Sequence, residues 1–237
     1  WPYKHGQIRP TDHCFLQYDV EDKRFAASFM VNKYEPYNDF FDDSKPENEK
    51  VITDVYPHPS IINDPENPSP ENWTFLEDYT VWVPSSEEWE DSDYPWVKKF
   101  DDPLAVAKDD NSRDFFLFRL AETYLIRAEA KIKQGKSGDD DINMVRARSW
   151  DVSVVDADID DLLDERGREL MGECKRWMDL RRTGKLEERA SIHNPSVVRY
   201  IEQGYDPFNK GKKALRRPIP TDVIIRDGGN YGQNDGY

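Results

Sequence analysis

Apolar residues recur every three or four positions between Asp158 and Gly184, which is typical of one face of an amphipathic α-helix. Aspartates within 158–161 supply negative charge at the amino end, basic residues within 181–185 supply positive charge at the other end, and Gly184 favours a left-handed stop. The sequence therefore predicts one long helix. Its inward face comprises Ile159, Leu162, Leu163, Arg166, Gly167, Leu170, Met171, Cys174, Trp177 and Arg181.

A second helical stripe runs from Asp114 to Gly135, with Ser112 or Asp114 as the predicted cap. A shorter helix over 139–148 follows it, and the two are expected to form an antiparallel αα-hairpin like a single tetratricopeptide unit. No second copy occurs at a fixed period. The predicted core is Leu117, Leu120, Tyr124, Leu125, Ile142, Val145, Leu163, Leu170 and Trp177.

The remaining segments contain shorter patterns of secondary structure. We expect a helix over 11–18 capped by Thr11 or Asp12, and the alternation of Arg24–Val31 predicts a strand. Beyond the long helix, the composition predicts a loop over 193–213, an extended segment over 215–220 and irregular coil over 227–237.

Residues 32–102 interrupt the helical pattern, because Pro, Asn, Asp, Glu and Ser dominate there. The same segment holds many Trp and Tyr residues, which a disordered segment lacks. We therefore expect a long ordered excursion packed on a helical body, with a short strand at Thr80–Val83. The fold class is mostly α, with the helical core over 114–186 and few short strands.

The amino-acid composition argues against several classes of function. The chain contains 48 Asp and Glu but only 33 Lys and Arg. Its net charge of −15 therefore repels nucleic acid and anionic lipid surfaces. No apolar run is long enough for a membrane span. Cys14 and Cys174 lack metal-site spacing and are interpreted as buried thiols. The chain begins at Trp1 without a signal-peptide pattern, so we expect a processed protein or a fragment.

Carboxylate pairs raise the possibility of a glycoside hydrolase, with Glu87 and Glu88, or Glu165 and Glu169, as acid and base. Adjacent residues point apart on a helix, however, and Glu165 and Glu169 fit a solvated rim beside Arg168. We therefore expect no enzymatic activity. His5, His13 and Cys14 lack a fourth ligand, and neither a phosphate loop nor a nucleophile elbow occurs, so no metal or cofactor is predicted.

Several segments together resemble the SusD/RagB family of outer-membrane nutrient-binding lipoproteins from the Bacteroidetes. In chain order these are RPT at 9–11, DKRF at 22–25, RDFFLFRLAETYLIRAEA at 113–130, INMVRAR at 142–148, DERGRELMGECKRWMDL at 164–180, RTG at 182–184, RPIP at 217–220 and QNDGY at 233–237. The resemblance implies that 1–237 is a single domain matching the carboxy-terminal half of a family member. The helix-repeat half and the lipid-bearing cysteine are absent from it.

By this resemblance, the protein holds a glycan at the cell surface as a lid on a SusC-like TonB-dependent outer-membrane transporter. The resemblance also implies a lipid anchor through a cysteine outside this chain. Loop aromatics are the expected sugar-stacking platform, since their flat apolar faces suit sugar rings. The candidates are Trp1, Tyr3, Trp73, Trp82 and Trp89. The alternatives are a helical-repeat adaptor that binds a protein partner and a divergent glycoside hydrolase.

Overall fold

The computed structural model describes residues 10–34, 44–55, 80–81, 96–100, 102 and 113–237. The chain packs as two compact units, Trp1–Glu173 and Cys174–Tyr237, each described here by itself. The described part is mostly α-helical, as predicted, and its strands are short. The single-domain interpretation stays a prediction.

The first unit carries five helices and five strands among its described residues. They are α1 Asp12–Leu16, α2 Arg24–Ser28, β1 Phe29–Met30, β2 Asn32–Tyr34, β3 Ile52–Val55, β4 Thr80–Val81, β5 Trp96–Val97, α3 Leu120–Ile132, α4 Asp139–Arg146 and α5 Ile159–Glu169. A 3-10 turn spans Glu47–Glu49. β1 pairs with β5, and β3 lies between β2 and β4 in a small three-stranded sheet.

The predicted helix pair is present as α3 and α4, which pack against α5. The core packed among these three helices is buried and consists of Ala121, Leu125, Ala128, Ile142, Val145, Ala157 and Leu162. The left-handed Gly135 (φ +70°) ends α3 as predicted. A Cβ on Gly138 would lie 3.0 Å from the Ile132 side chain and 3.1 Å from the Ala128 carbonyl, so glycine permits this close approach.

The predicted start of α3 was wrong. The helix begins at Leu120 rather than Asp114, and its N-cap Arg119 is extended (φ −148°, ψ 161°) without a side-chain cap. Leu117 and Leu120 are 72% and 70% exposed, so they do not belong to the core of this chain. The cause is tertiary, because the Arg119 guanidinium reaches buried carboxylates of Glu169 and Glu173.

A second core is aromatic. Phe15, Tyr18, Phe25 and Phe29 are buried together, with ring centroids 4.9 to 6.4 Å apart in mostly edge-to-face geometry. Thr11 caps α1 as predicted, accepting from the Cys14 amide at 3.3 Å. The predicted strand Arg24–Val31 was wrong, since 24–28 is helical and only Phe29–Met30 is extended. Burial of residues 24, 25, 28 and 29 follows the helical period, which the alternation of the apolar residues Phe25, Ala27, Phe29 and Val31 concealed.

The long helix predicted over 158–184 is interrupted. The Asp158–Asp161 capping box starts α5 as predicted, but α5 ends at Glu169 and the next helix begins at Arg176. Lys99 Nζ donates to the carbonyls of Glu169 and Met171 at 2.9 and 3.0 Å. A continuous helix would use those carbonyls for the amides of residues 173 and 175. Gly172 (φ +76°) and Cys174 (φ +57°) are left-handed there.

The two cysteines differ in burial. Cys14 is half-buried beside the aromatic core. Cys174 is exposed, so its predicted burial was wrong, because it lies in the turn that replaces the middle of the predicted helix.

The second unit contains α6 Arg176–Arg182, α7 Leu186–His193, α8 Pro195–Glu202, α9 Lys212–Leu215 and α10 Thr221–Arg226. The predicted loop over 193–213 was therefore wrong. Asn194 caps α8 by accepting from Ser196 and Val197 amides at 3.0 and 3.2 Å, and Pro195 occupies the first helical position. These start signals are legible in the sequence. The extended segment predicted over 215–220 was wrong at Leu215, which is helical, and Arg216 after it is extended (φ −137°, ψ 153°). Residues 227–237 lack regular structure, as predicted.

Candidate functional site

The five predicted sugar-stacking residues lie outside the residues that the structure describes. They are Trp1, Tyr3, Trp73, Trp82 and Trp89. The structure does describe strands within the excursion that carries three of them. β4 directly precedes Trp82 and runs parallel to β3, with Asp54 opposite Thr80 and Val55 opposite Val81. The predicted strand at Thr80–Val83 is confirmed for its first two residues.

Both ends of the excursion are fixed at one place in the first unit. β1 and β5 pair antiparallel, with Phe29 opposite Val97 and Met30 opposite Trp96. The Lys98 amide adds a bond to the Ser28 carbonyl at 2.9 Å. The chain therefore leaves the helical body after Met30 and returns beside its point of departure at Trp96.

Lys99 secures the returning end. Besides the two carbonyls at the end of α5, its ammonium contacts Glu173 Oε1 at 2.7 Å. Burial lowers the pKa of Lys99, although the neighbouring Glu173 opposes that effect. Next in the chain, the Phe100 ring lies 5.2 Å from the Phe115 ring and against Gly172, where a Cβ would approach it to 3.2 Å. The excursion is thus tied to the region that ends α5.

Lys99 also belongs to a larger cluster of charged residues, which we call the buried charge cluster. Its members come from α2, α4, α5 and the segments next to these helices. Arg24 contacts Asp22 at 2.8 Å, Glu165 at 2.6 Å and Glu169 at 3.0 Å. Arg146 and Arg168 each reach Glu165 Oε2 at 2.8 Å. The remaining members are Glu173, which is buried, Lys99 and Arg119, which are half-buried, and Arg148, which is exposed and reaches Glu169 from the edge of the cluster.

The cluster favours the ionised form of two of its carboxylates, Glu165 and Glu173. Burial opposes the charge on Glu165, but the guanidiniums of Arg168 and Arg24 outweigh it and hold the pKa of that carboxyl below its ordinary value. For Glu173, burial is likewise outweighed by Arg119 and Lys99, so its pKa is also lowered. A carboxylate saturated by guanidinium donors is a poor proton donor. The cluster is therefore arranged to hold the fold rather than to transfer protons.

The solvated rim predicted around Glu165, Arg168 and Glu169 was wrong, since all three are buried. The carboxylate pair considered for a hydrolase is thus enclosed and bonded to arginines. Glu87 and Glu88, the other pair considered, lie outside the described residues. Arg166, which lies on the inward face predicted from the sequence, has its Nη2 atom 3.6 Å from Glu122 Oε1.

The metal ligands considered from the sequence do not come together among the described residues. There, no group of three or more His, Cys, Asp or Glu side chains is placed to hold an ion. His13 Nε2 lies 2.9 Å from Gln17 Nε2, and His5 is outside the described residues. Across the same described part of the chain, no helix is both long and apolar enough to cross a membrane.

A family model for the SusD family matches residues 4–237. The chain belongs to the SusD family. Among its SusD-family relatives, the Starch-binding protein SusD of Bacteroides thetaiotaomicron is 32% identical over 164 residues, which is 60% of this chain and 27% of that protein. This chain therefore spans about a quarter of that curated relative's length.

A solved structure shares the fold. Surface glycan-binding protein A from Bacteroides thetaiotaomicron superposes with a TM-score of 0.52, covering 99% of this chain and 44% of that one. Its sequence identity of 18% supports the fold alone. Together with the SusD-family match, this confirms the resemblance drawn from the RDFFLFRLAE and QNDGY segments.

Proposed function

We propose that this chain holds a glycan at the cell surface without cleaving it, as part of a SusD-type component of a nutrient-uptake system. The observation that carries this proposal is the match to the SusD family over residues 4–237. A SusD-family relative that is a starch-binding protein, and a structural neighbour that is a surface glycan-binding protein, agree with it.

The proposed platform is the set of loop aromatics Trp1, Tyr3, Trp73, Trp82 and Trp89. For Trp73, Trp82 and Trp89, support comes from the framework of the excursion, because its ends are fixed by β1, β5 and Lys99. An aromatic platform on an anchored loop loses less conformational entropy on binding than one on a free loop. The proposed partner is a SusC-like outer-membrane transporter, and the proposed location is the outer-membrane surface through a lipid anchor outside this chain.

A non-catalytic role is supported by the state of Glu165 and Glu169, both buried and paired with arginines. The full chain should be screened by affinity electrophoresis in gels containing different polysaccharides, and the same mixtures assayed for reducing ends. We expect retardation by at least one polysaccharide and no new reducing ends. Release of reducing ends that is abolished in Glu87→Gln or Glu88→Gln would instead establish a hydrolase.

A further inference from the structure

Charge is distributed very unevenly along this acidic chain. Of its 33 Lys and Arg, 13 lie in the second unit, residues 174–237, which contains only eight of the 48 Asp and Glu. That unit therefore carries a net charge of +5, whereas residues 1–173 carry 20 basic and 40 acidic residues, or −20. A charge asymmetry of this size points to an interaction that the average composition conceals.

The positive charge concentrates in what we call the basic run, Lys210, Lys212, Lys213, Arg216 and Arg217. No acidic residue lies between its first and last members. Runs of this density are typical of surfaces that bind heparin-like polyanions or nucleic acid.

The backbone of the basic run is held by the carboxy-terminal tail. Asn209 Nδ2 donates to the Gly236 carbonyl at 3.1 Å. Asn234 Nδ2 donates to the Arg217 carbonyl at 2.7 Å, and the Tyr237 hydroxyl donates to the Arg216 carbonyl at 3.2 Å. The cations are therefore displayed on a fixed segment, which lowers the entropy lost when they bind a ligand.

Aromatic rings orient two of the cations. The Arg217 guanidinium carbon lies 4.6 Å from the centroid of the Trp177 ring, and Lys213 Nζ lies 5.1 Å from that of Tyr237. A guanidinium stacked on a ring keeps its N–H edge available for a planar or tetrahedral anion. Arg216 and Arg217 are both exposed.

Nearby carboxylates neutralise only part of this charge. Asp206 accepts from the amides of Phe208 and Lys210 at 2.9 and 2.6 Å. Asp235 pairs with Lys212 at 3.0 Å, but both side chains are exposed and such pairs are weak. Glu187 Oε2 lies 3.1 Å from where a Cβ on Gly211 would stand. Three carboxylates thus face five cations, and the excess remains positive.

We propose that the basic run binds an anionic polysaccharide, one whose sugars carry sulfate or carboxylate groups. This deepens the proposed function by naming a substrate class, and it rests on that function. A flexible polysaccharide can engage a local patch within one Debye length, about 8 Å at physiological salt. A bilayer or a nucleic-acid duplex presents a larger anionic surface, which the chain's overall charge of −15 repels.

The test uses dextran sulfate and uncharged dextran, which share one backbone, with the full chain. Wild-type protein should bind dextran sulfate more tightly than dextran, and the difference should shrink as salt is raised. The variant Lys210→Gln/Arg216→Gln leaves the Arg217–Trp177 stack intact. It should bind dextran sulfate more weakly by roughly fivefold for each cation removed.

The matched control is Lys136→Gln/Arg226→Gln, which lowers the net charge equally at exposed positions outside the basic run. Its dextran sulfate affinity should stay close to wild type. Equal weakening of both double variants would overturn the proposal, because only net charge would then matter. Tighter binding to anionic phospholipid vesicles than to dextran sulfate, lost in the same variant, would assign the run to a membrane instead.

The two proposals fail separately. If dextran sulfate does not bind at low salt while a neutral polysaccharide retards the chain, the basic run has no glycan role and the proposed function stands. If only dextran sulfate binds, and the Lys210→Gln/Arg216→Gln variant loses it, this inference stands and the aromatic platform is wrong. Absence of binding to every polysaccharide would overturn both.

Discussion

Glu165 is the residue on which the buried charge cluster converges. Its two carboxylate oxygens accept from Arg24, Arg146 and Arg168, three guanidiniums that reach it from three helices. Each of these residues is buried. Removing one charge from such a group leaves the others desolvated and unpaired, which typically costs several kcal/mol.

We therefore predict that Glu165→Gln lowers the free energy of unfolding by about 3 to 5 kcal/mol. The side-chain shape is kept, so the loss reports charge rather than volume. Glu21→Gln, the same substitution at an exposed position of the same unit, should change stability by less than about 0.5 kcal/mol. Urea unfolding followed by circular dichroism measures both. Similar losses in the two variants would contradict the central place of Glu165.

The same carboxylate should make stability depend on pH. The pKa values of Glu165 and Glu173 are lowered in the folded protein, so their contribution is fully present above the unfolded pKa of about 4.3. It is lost as the pH falls through the folded pKa. Unfolding free energy measured from pH 7 down to pH 3 should decline below about pH 4.5. The decline should be shallower in Glu165→Gln, and parallel curves would refute this assignment.

Some of the buried ion pairs could be expected from the sequence. Arg166 lies on an apolar helical face, so it needs a carboxylate, and Glu122 is that partner. Glu165 and Glu169 are different, because helical pair spacing suggested an exposed rim. Apart from Arg168, which is three residues from Glu165, their arginine partners lie 19 to 145 residues away along the chain, and nothing local encodes those distant contacts.

The apolar stripes in the sequence predict where helices occur, whereas tertiary contacts determine the residues at which the helices begin and end. Leu170 and Leu120 illustrate the difference, since both were predicted to lie in the core. Leu170 is 3% exposed at the end of α5. Leu120 is 70% exposed at the first turn of α3, because Arg119 is drawn out of helical geometry by Glu169 and Glu173.

This pair gives a matched prediction at the level of elements. Leu170→Ala should lower the free energy of unfolding by about 2 to 5 kcal/mol, since it empties a buried site. Leu120→Ala removes the same atoms from a solvated position and should cost less than about 0.5 kcal/mol. Denaturant midpoints of the two variants, at unchanged m-values, measure the difference. A larger loss at Leu120 would mean that α3 faces the opposite way.

The ends of helices could not be predicted from the sequence where a side chain distant in the chain determines them. The helical stripe continues through residues 170–175, yet Lys99 takes the carbonyls that would extend α5. By contrast, α8 carried readable start signals in Asn194 and Pro195, and the prediction of a loop there gave them too little weight. The Asp158 cap and the Gly135 stop needed only local sequence, and both were predicted.

At the scale of the whole molecule, a helical framework carries one long excursion whose ends meet at β1 and β5. The SusD family and mostly helical fold could be predicted, because they depend on motifs and periodicity spread over the chain. The aromatics of the candidate site have no period to locate them. Their selection rests on chemistry, so the claim that they hold the glycan needs a direct measurement.

That measurement compares glycan affinity with melting temperature for single alanine variants of Trp1, Tyr3, Trp73, Trp82 and Trp89, using a polysaccharide retained by the wild-type chain. Losing a stacked ring should weaken binding by about 1 to 3 kcal/mol while the melting temperature barely changes. Tyr231→Ala, an exposed aromatic of the second unit, is the control and should bind normally. If all five variants instead melt several degrees lower and bind as well as wild type, these residues belong to the core and the platform is elsewhere.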